Sequence, residues 1–123
     1  MPWPTAEELP GPRCWCGRNG CLETRVSGPA LAADYTRATS HHLSAETIVA
    51  HAHNGDRDAH ATLKRHVSRL ARGLAHIVNV IDPDVIVLGG GLSELPHLYE
   101  ELPGLIAPYV FSVDQRVEIK APK

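Results

Sequence analysis

Between Asp56 and Ile81 apolar residues recur at a spacing that suits a helix. Leu63, Val67, Leu70, Leu74, Ile77 and Ile81 follow one another at four, three, four, three and four, which lays a single apolar stripe along one long helix. That helix should be the spine of the core, and it should end at Asp82-Pro83, because proline disfavours the helical region for the residue before it. The next stretch, "DVIVLGGGLSE", is a continuous apolar run bounded by glycines and predicts a strand covered on both faces, as in a parallel sheet. A further helix is expected from about Ser93, with Leu95, Leu98, Leu102 and Leu105 on one side and a break or kink at Pro103-Gly104. Alternation in "RVEIK" at 116–120 puts Val117 and Ile119 on one face of a final strand. Upstream, Ser27 can cap a helix carrying Leu31, Tyr35 and Ala38. Ser44 can cap another with Ile48, Val49 and Ala52 inward, stopped in a left-handed turn at "HNG", 53–55.

The first thirteen residues break this periodicity. They carry four prolines and end in "LPGPR", so they are expected to run as an extended arm. No internal repeat or low-complexity tract is present. Two strands make a poor sheet, and the buried character of "VIVL" calls for neighbours not visible in this chain, so the sequence reads as part of a larger α/β unit.

At 123 residues one domain is the prior. Twelve Lys and Arg stand against fourteen Asp and Glu with no basic run, so nucleic acid is not an expected partner of this chain. No apolar stretch is long enough to cross a bilayer, and "MPWPTAEELPGP" lacks the regions of a signal peptide. The expectation is a soluble, cytoplasmic chain without a membrane partner.

All three cysteines fall in "CWCGRNGCLE", 14–23, which argues against a disulfide framework because no two separated segments would be stapled. Cys14, Cys16 and Cys21 can converge only if the backbone folds back sharply, and Gly17 and Gly20 permit the positive φ of such a bend. A cluster of thiolates in a polar, turn-prone setting suits structural zinc better than three packed thiols do. Eight histidines could supply a fourth ligand, His41-His42 and His51-x-His53 among them, but none has a spacing that singles it out.

Glu23 follows the third thiol by two residues, so a metal-fixed loop would hold its carboxylate in place to accept hydrogen bonds from a polar ligand such as a sugar. It reads equally well as a surface glutamate near a helix start. Gly89, Gly90 and Gly91, between a buried strand and a helix, would let a ligand's phosphate approach the backbone, although glycines after a strand are more often only a turn.

Together, "CWCGRNGCLE", "VSGPALAADY", "IVNVIDPDVIVLGGGLS" and "YVFS" resemble the ROK group of sugar kinases and sugar-responsive repressors, above all its bacterial fructokinases and, a little less closely, its N-acetylglucosamine kinases. The resemblance covers nearly the whole chain. It implies an α/β fold: the helix-rich part of the C-terminal lobe of a ribonuclease-H-like, actin-like ATPase sugar kinase, with few strands, an arm at 1–13 and a zinc loop at 14–23. It implies that Cys14, Cys16 and Cys21 are three zinc ligands, the fourth being a histidine upstream of a segment similar to "MPWP". Glu23 then matches a sugar-binding glutamate, and Gly89, Gly90 and Gly91 match the loop beside ATP with its Mg2+.

The family's D-x-G-x-T segment, catalytic aspartate and E-x-G-H motif are not in this chain, and the family continues past "KAPK". The resemblance therefore implies a fragment truncated at both ends, inactive alone, of a homodimeric kinase that phosphorylates a hexose, fructose at O6 first. The alternatives are an N-acetylglucosamine or glucose kinase, the sugar-sensing lobe of a ROK repressor, or a short zinc-stabilised interaction module.

Overall fold

The computed structural model describes residues 1–111 and 117–122. Ser112 of "YVFS" and Arg116 of the expected last strand lie outside the described residues. The described elements run α1 (Glu23–Val26), α2 (Gly28–Thr39), α3 (Ala45–His53), α4 (Arg57–Ile81), β1 (Val85–Val87), α5 (Pro96–Ile106) and β2 (Glu118–Lys120). Short 3-10 turns lie at Ala6–Glu8, Gly91–Glu94 and Ala107–Tyr109.

The helices begin where side chains can satisfy their first amides. Ser27 accepts from the Ala30 N–H at 3.1 Å, Ser44 from Thr47 at 3.2 Å and Asp56 from Ala59 at 2.9 Å. At 25 residues α4 is about 37 Å long by the α-helical rise, too long for one small core, and two apolar clusters form along it. Its N-terminal half packs Leu63 and Ala59 with Leu31 and Tyr35 of α2 and Ile48 of α3. Its C-terminal half packs Val67, Ala71, Leu74 and Ala75 with Leu98, Leu102 and Ile106 of α5. The helix closes at Asp82 in the left-handed conformation (φ 56°), just before Pro83.

The predicted stripe shifts toward the end of α4. Ala71, Ala75 and Val78 are buried, whereas Ile77 and Ile81 are 39% and 69% exposed. Small residues let α5 approach closely, and the larger isoleucines fall outside that contact. On α2, likewise, Asp34 rather than Ala38 is turned inward, held by Arg65 and Arg69 of α4.

β1 and β2 pair in parallel, Val85 with Glu118, Ile86 with Ile119 and Val87 with Lys120, joined through α5. The strand expected to be covered on both faces is covered on one. Ile86 and Ile119 pack against the α4–α5 cluster, while Val85 and Val87 are exposed, because no further layer lies over them among the described residues. The following helix starts at Pro96, not at Ser93. Ser93 instead folds back on the Gly90 carbonyl, through its hydroxyl at 2.6 Å and its amide at 3.1 Å, within a 3-10 turn. Pro103 does not break α5: Leu102 and Ile106 on either side of it are both buried in the same core, which holds the helix continuous. Ile106 takes the inward place expected of Leu105.

The N-terminal arm is folded down instead of extended. Glu8, 5% exposed, accepts from Arg69 Nε at 2.6 Å, from Arg72 at 2.5 and 2.8 Å and from the Thr5 amide at 2.8 Å. Arg72 also donates to the Trp3 carbonyl at 2.9 Å, and the Trp3 ring lies 5.4 Å from that of Tyr109. One carboxylate thus ties residues 1–13 to α4, which proline content alone could not reveal. No helix among the described residues is long and apolar enough to cross a membrane.

Candidate metal loop and ligand cavity

The cysteine loop is closed by its own backbone. Cys14 N–H donates to Arg18 O at 2.7 Å, Gly17 N–H to Cys14 O at 3.0 Å and Gly20 N–H to Pro12 O at 2.8 Å. Gly20 sits at φ 73°, and a Cβ there would lie 2.7 Å from the Pro10 carbonyl oxygen, so conformation and space both demand glycine. Gly20→Ala is expected to lower stability by about 1–3 kcal/mol in urea denaturation, from the strain of such a residue at positive φ. A change within a few tenths would show that the loop relaxes freely.

This fold-back brings the three thiols together. Their sulfurs all lie within 4.8 Å of one another, with Cys16 and Cys21 3.5 Å apart. Zinc–thiolate bonds of about 2.3 Å in a tetrahedron place sulfurs about 3.8 Å apart, so sulfurs within 4.8 Å of one another are close enough to share one metal ion, and an all-thiol donor set suits zinc. No histidine or carboxylate of the described residues joins the group. Hydrogen bonds, first from the Arg18 backbone and then from Cys21, hold the Cys16 thiol below its ordinary pKa. The same thiol contact with Cys16 pushes Cys21 up to about 11. Close thiols resist simultaneous ionisation in this way, and a cation between them removes the conflict.

The loop delivers the chain into α1. Leu22 packs so closely on α4 that a Cβ at Gly73 would stand 3.0 Å from its methyl carbons. Glu23, exposed at the start of α1, then faces a cavity of about 520 Å³ that also takes in Gly89 and Gly90. The cavity lies at the seam between the two clusters along α4, with His66 and Leu70 of that helix in its wall. A Cβ at Gly89 or Gly90 would meet nothing within 4 Å, so bare backbone borders the cavity there. Only Gly90, at φ 92°, needs glycine for its conformation. Gly91 opens the 3-10 turn, and α5 begins five residues beyond it, so the helix N-terminus expected directly behind the glycines is displaced.

Sequence reasoning missed His66. Its ring is 2% exposed in the cavity wall, and its place between Leu63 and Leu70, at spacings of three and four, was the signal that it points inward.

Comparison with known proteins places this architecture. The model of the ROK family matches residues 5–123. The chain belongs to the ROK family. It is 38% identical over 105 residues to N-acetyl-D-glucosamine kinase of Escherichia coli O127:H6, covering 82% of this chain and 35% of that protein. The crystal structure of the ROK hexokinase from Thermus thermophilus superposes with a TM-score of 0.79 at 30% identity, over 90% of this chain and 38% of that one. A ROK family transcriptional regulator, a homologue of the E. coli MLC protein, superposes at 0.58 with 25% identity, over 92% of this chain and 31% of the regulator. The chain therefore spans about a third of the length of its ROK relatives. Its helix-rich α/β fold with a cysteine cluster near the N-terminus is that of ROK actin-like sugar kinases.

Proposed function

We propose that this chain is a C-terminal-lobe segment of an ATP-dependent ROK hexose kinase. The observation that carries the reading is one cavity bordered by both Glu23 and the Gly89–Gly90 backbone, residues 66 positions apart in sequence. The glycine backbone receives the nucleotide, and the exposed Glu23 carboxylate accepts hydrogen bonds from sugar hydroxyls. Zinc on Cys14, Cys16 and Cys21 holds the Glu23 loop without touching the reacting atoms. Bound ATP with Mg2+ would supply the phosphoryl group, and the base that takes the hydroxyl proton comes from outside this chain.

The fructose expected from sequence gains no support from the named relatives. N-acetylglucosamine is the better-supported acceptor, since its kinase shares 38% identity with this chain. The repressor reading is favoured by the regulator's superposition alone, at a lower TM-score than the hexokinase's.

The test is the genomic reading frame upstream of Met1, expressed and assayed for ADP production. A frame carrying D-x-G-x-T and E-x-G-H with N-acetylglucosamine-dependent turnover supports the proposal, and preference for fructose restores the fructokinase. A helix-turn-helix without turnover makes the segment a repressor's sensor lobe, and an in-frame stop withdraws the enzyme. The 123-residue chain alone is expected to produce no sugar-dependent ADP.

A further inference from the structure

Four arginines border one cleft that is separate from the Glu23 cavity. Arg25 of α1, Arg37 of α2 and Arg65 and Arg69 of α4 line a space of about 530 Å³, whose wall holds two carboxylates, Asp34 and Glu7. Two positive charges are in excess there, in a chain whose net charge is −2. Helix α1 stands between the two spaces, with Glu23 and Val26 lining one and Arg25 the other.

The carboxylates are already engaged elsewhere. Asp34 Oδ2 accepts from Arg65 Nε at 2.8 Å and lies 3.3 Å from Arg69 Nη1, while its Oδ1 lies 3.7 Å from Arg37 Nη2. Glu8 takes Arg69 and Arg72. Glu7 is exposed and forms no ion pair among the described residues. Arg25 is left over. It is 7% exposed, its Nη2 donates to the Glu8 carbonyl at 2.8 Å, and no carboxylate of the described residues lies within ion-pair distance. Its Nε and Nη1 have no acceptor among those residues, yet they are not sealed from solvent. Burial first, and then the charges of Arg69 and Arg37, push the guanidinium below its ordinary pKa against a weaker pull from Glu8 and Asp34. A guanidinium stays protonated even so, and folded proteins rarely bury a cation without a counter-ion.

The donors say what kind of anion fits. A guanidinium offers paired N–H groups in a planar fork that matches two oxygens of one phosphate. Arg37, its side chain 45% exposed, has Asp34 as its one polar partner among the described residues and keeps most of its donors free. Forks reaching one cleft from α1, α2 and α4 suit a tetrahedral dianion better than a flat, singly charged carboxylate, and two excess charges match it.

We infer that this cleft binds a phosphate group, free or as the head of a phosphate monoester, with Arg25 and Arg37 as its principal donors.

The experiment titrates inorganic phosphate and glucose 6-phosphate separately into the 123-residue chain by calorimetry at low ionic strength, where charge contacts are least screened. Saturable binding at one site is expected, and the tighter probe tells free phosphate from a monoester. Arg25→Met keeps the aliphatic stem, removes the charge and should weaken binding by about tenfold or more. Arg37→Gln should weaken it by about threefold to tenfold. Glu23→Gln should leave it unchanged. Binding of neither probe overturns the inference, as does affinity that survives in Arg25→Met. Affinity lost in Glu23→Gln but kept in Arg25→Met would seat the phosphate in the other cavity and overturn it too. Should Arg25→Met fail to fold, Arg37→Gln decides, and unchanged affinity there overturns the site. The same titration on the protein expressed from the upstream reading frame is expected to show the same site. Binding by the 123-residue chain but not by that longer protein would mean that another of its segments fills the cleft, which also overturns the inference.

Discussion

Glu8→Ala is expected to destabilise the chain by about 3–5 kcal/mol, read as the shift in the urea midpoint at constant slope. The carboxylate is buried against the guanidinium groups of Arg69 and Arg72, and Arg25 donates to the Glu8 carbonyl at 2.8 Å. Removing it leaves Arg69 and Arg72, 7% and 4% exposed, without their shared counter-charge. Asp34 offsets this only in part, since it lies 3.3 Å from Arg69 but already pairs with Arg65 at 2.8 Å. Glu8→Gln, nearly isosteric, separates charge from shape: a loss close to that of alanine assigns the stability to charge.

Acid makes the same test without mutation. Burial opposes ionisation of Glu8, but hydrogen bonds from Arg72, the Thr5 amide and Arg69 outweigh it and hold the carboxyl well below the usual range. The folded value is thus below the unfolded one of about 4.3. The stabilisation is complete above that pH and is lost as pH falls, by about 1.4 kcal/mol per unit for this one group. Stability of Glu8→Ala should decline less steeply below pH 4. Parallel acid limbs would mean that the ion cluster contributes nothing.

Cys16→Ser is expected to remove tightly held zinc and to bring the melting temperature to that of chelator-treated wild type. A serine hydroxyl keeps the size but is a far poorer ligand for zinc than thiolate. Structural zinc contributes on the order of 10 kcal/mol of apparent binding free energy when four ligands hold it. Even with three protein thiolates and a water, its loss should exceed that of any single apolar contact in the loop. Metal content by mass spectrometry and melting by circular dichroism read the two effects. Wild-type metal content in the variant would dismiss the site.

What could be read from sequence was local. Ser27 and Ser44 sit one residue before their helices, and the three cysteines span eight residues, so short-range rules reach them. The arm was misread because its structure depends on Glu8 meeting Arg69 and Arg72, 61 and 64 residues away, and no periodic pattern encodes a lone buried ion cluster. Pro103 was misread because burial of Leu102 and Ile106 outweighs the local preference to stop. His66 was legible as inward, but its hydrogen bond to the Val26 carbonyl depended on where α1 would fall.

The division of α4 between two apolar clusters has a consequence for cooperativity. Amides beside α2 and α3 and amides beside α5 and the strand pair belong to units with no shared core, so they can exchange with solvent through separate openings. The cavity is the place where both units contribute walls, Leu92 from one side and Leu98 from the other. A molecule bound there favours only states in which both units are closed, and it converts two partial openings into one. Occupancy at the seam then decides whether this chain unfolds as a pair of weakly joined units or as a single one.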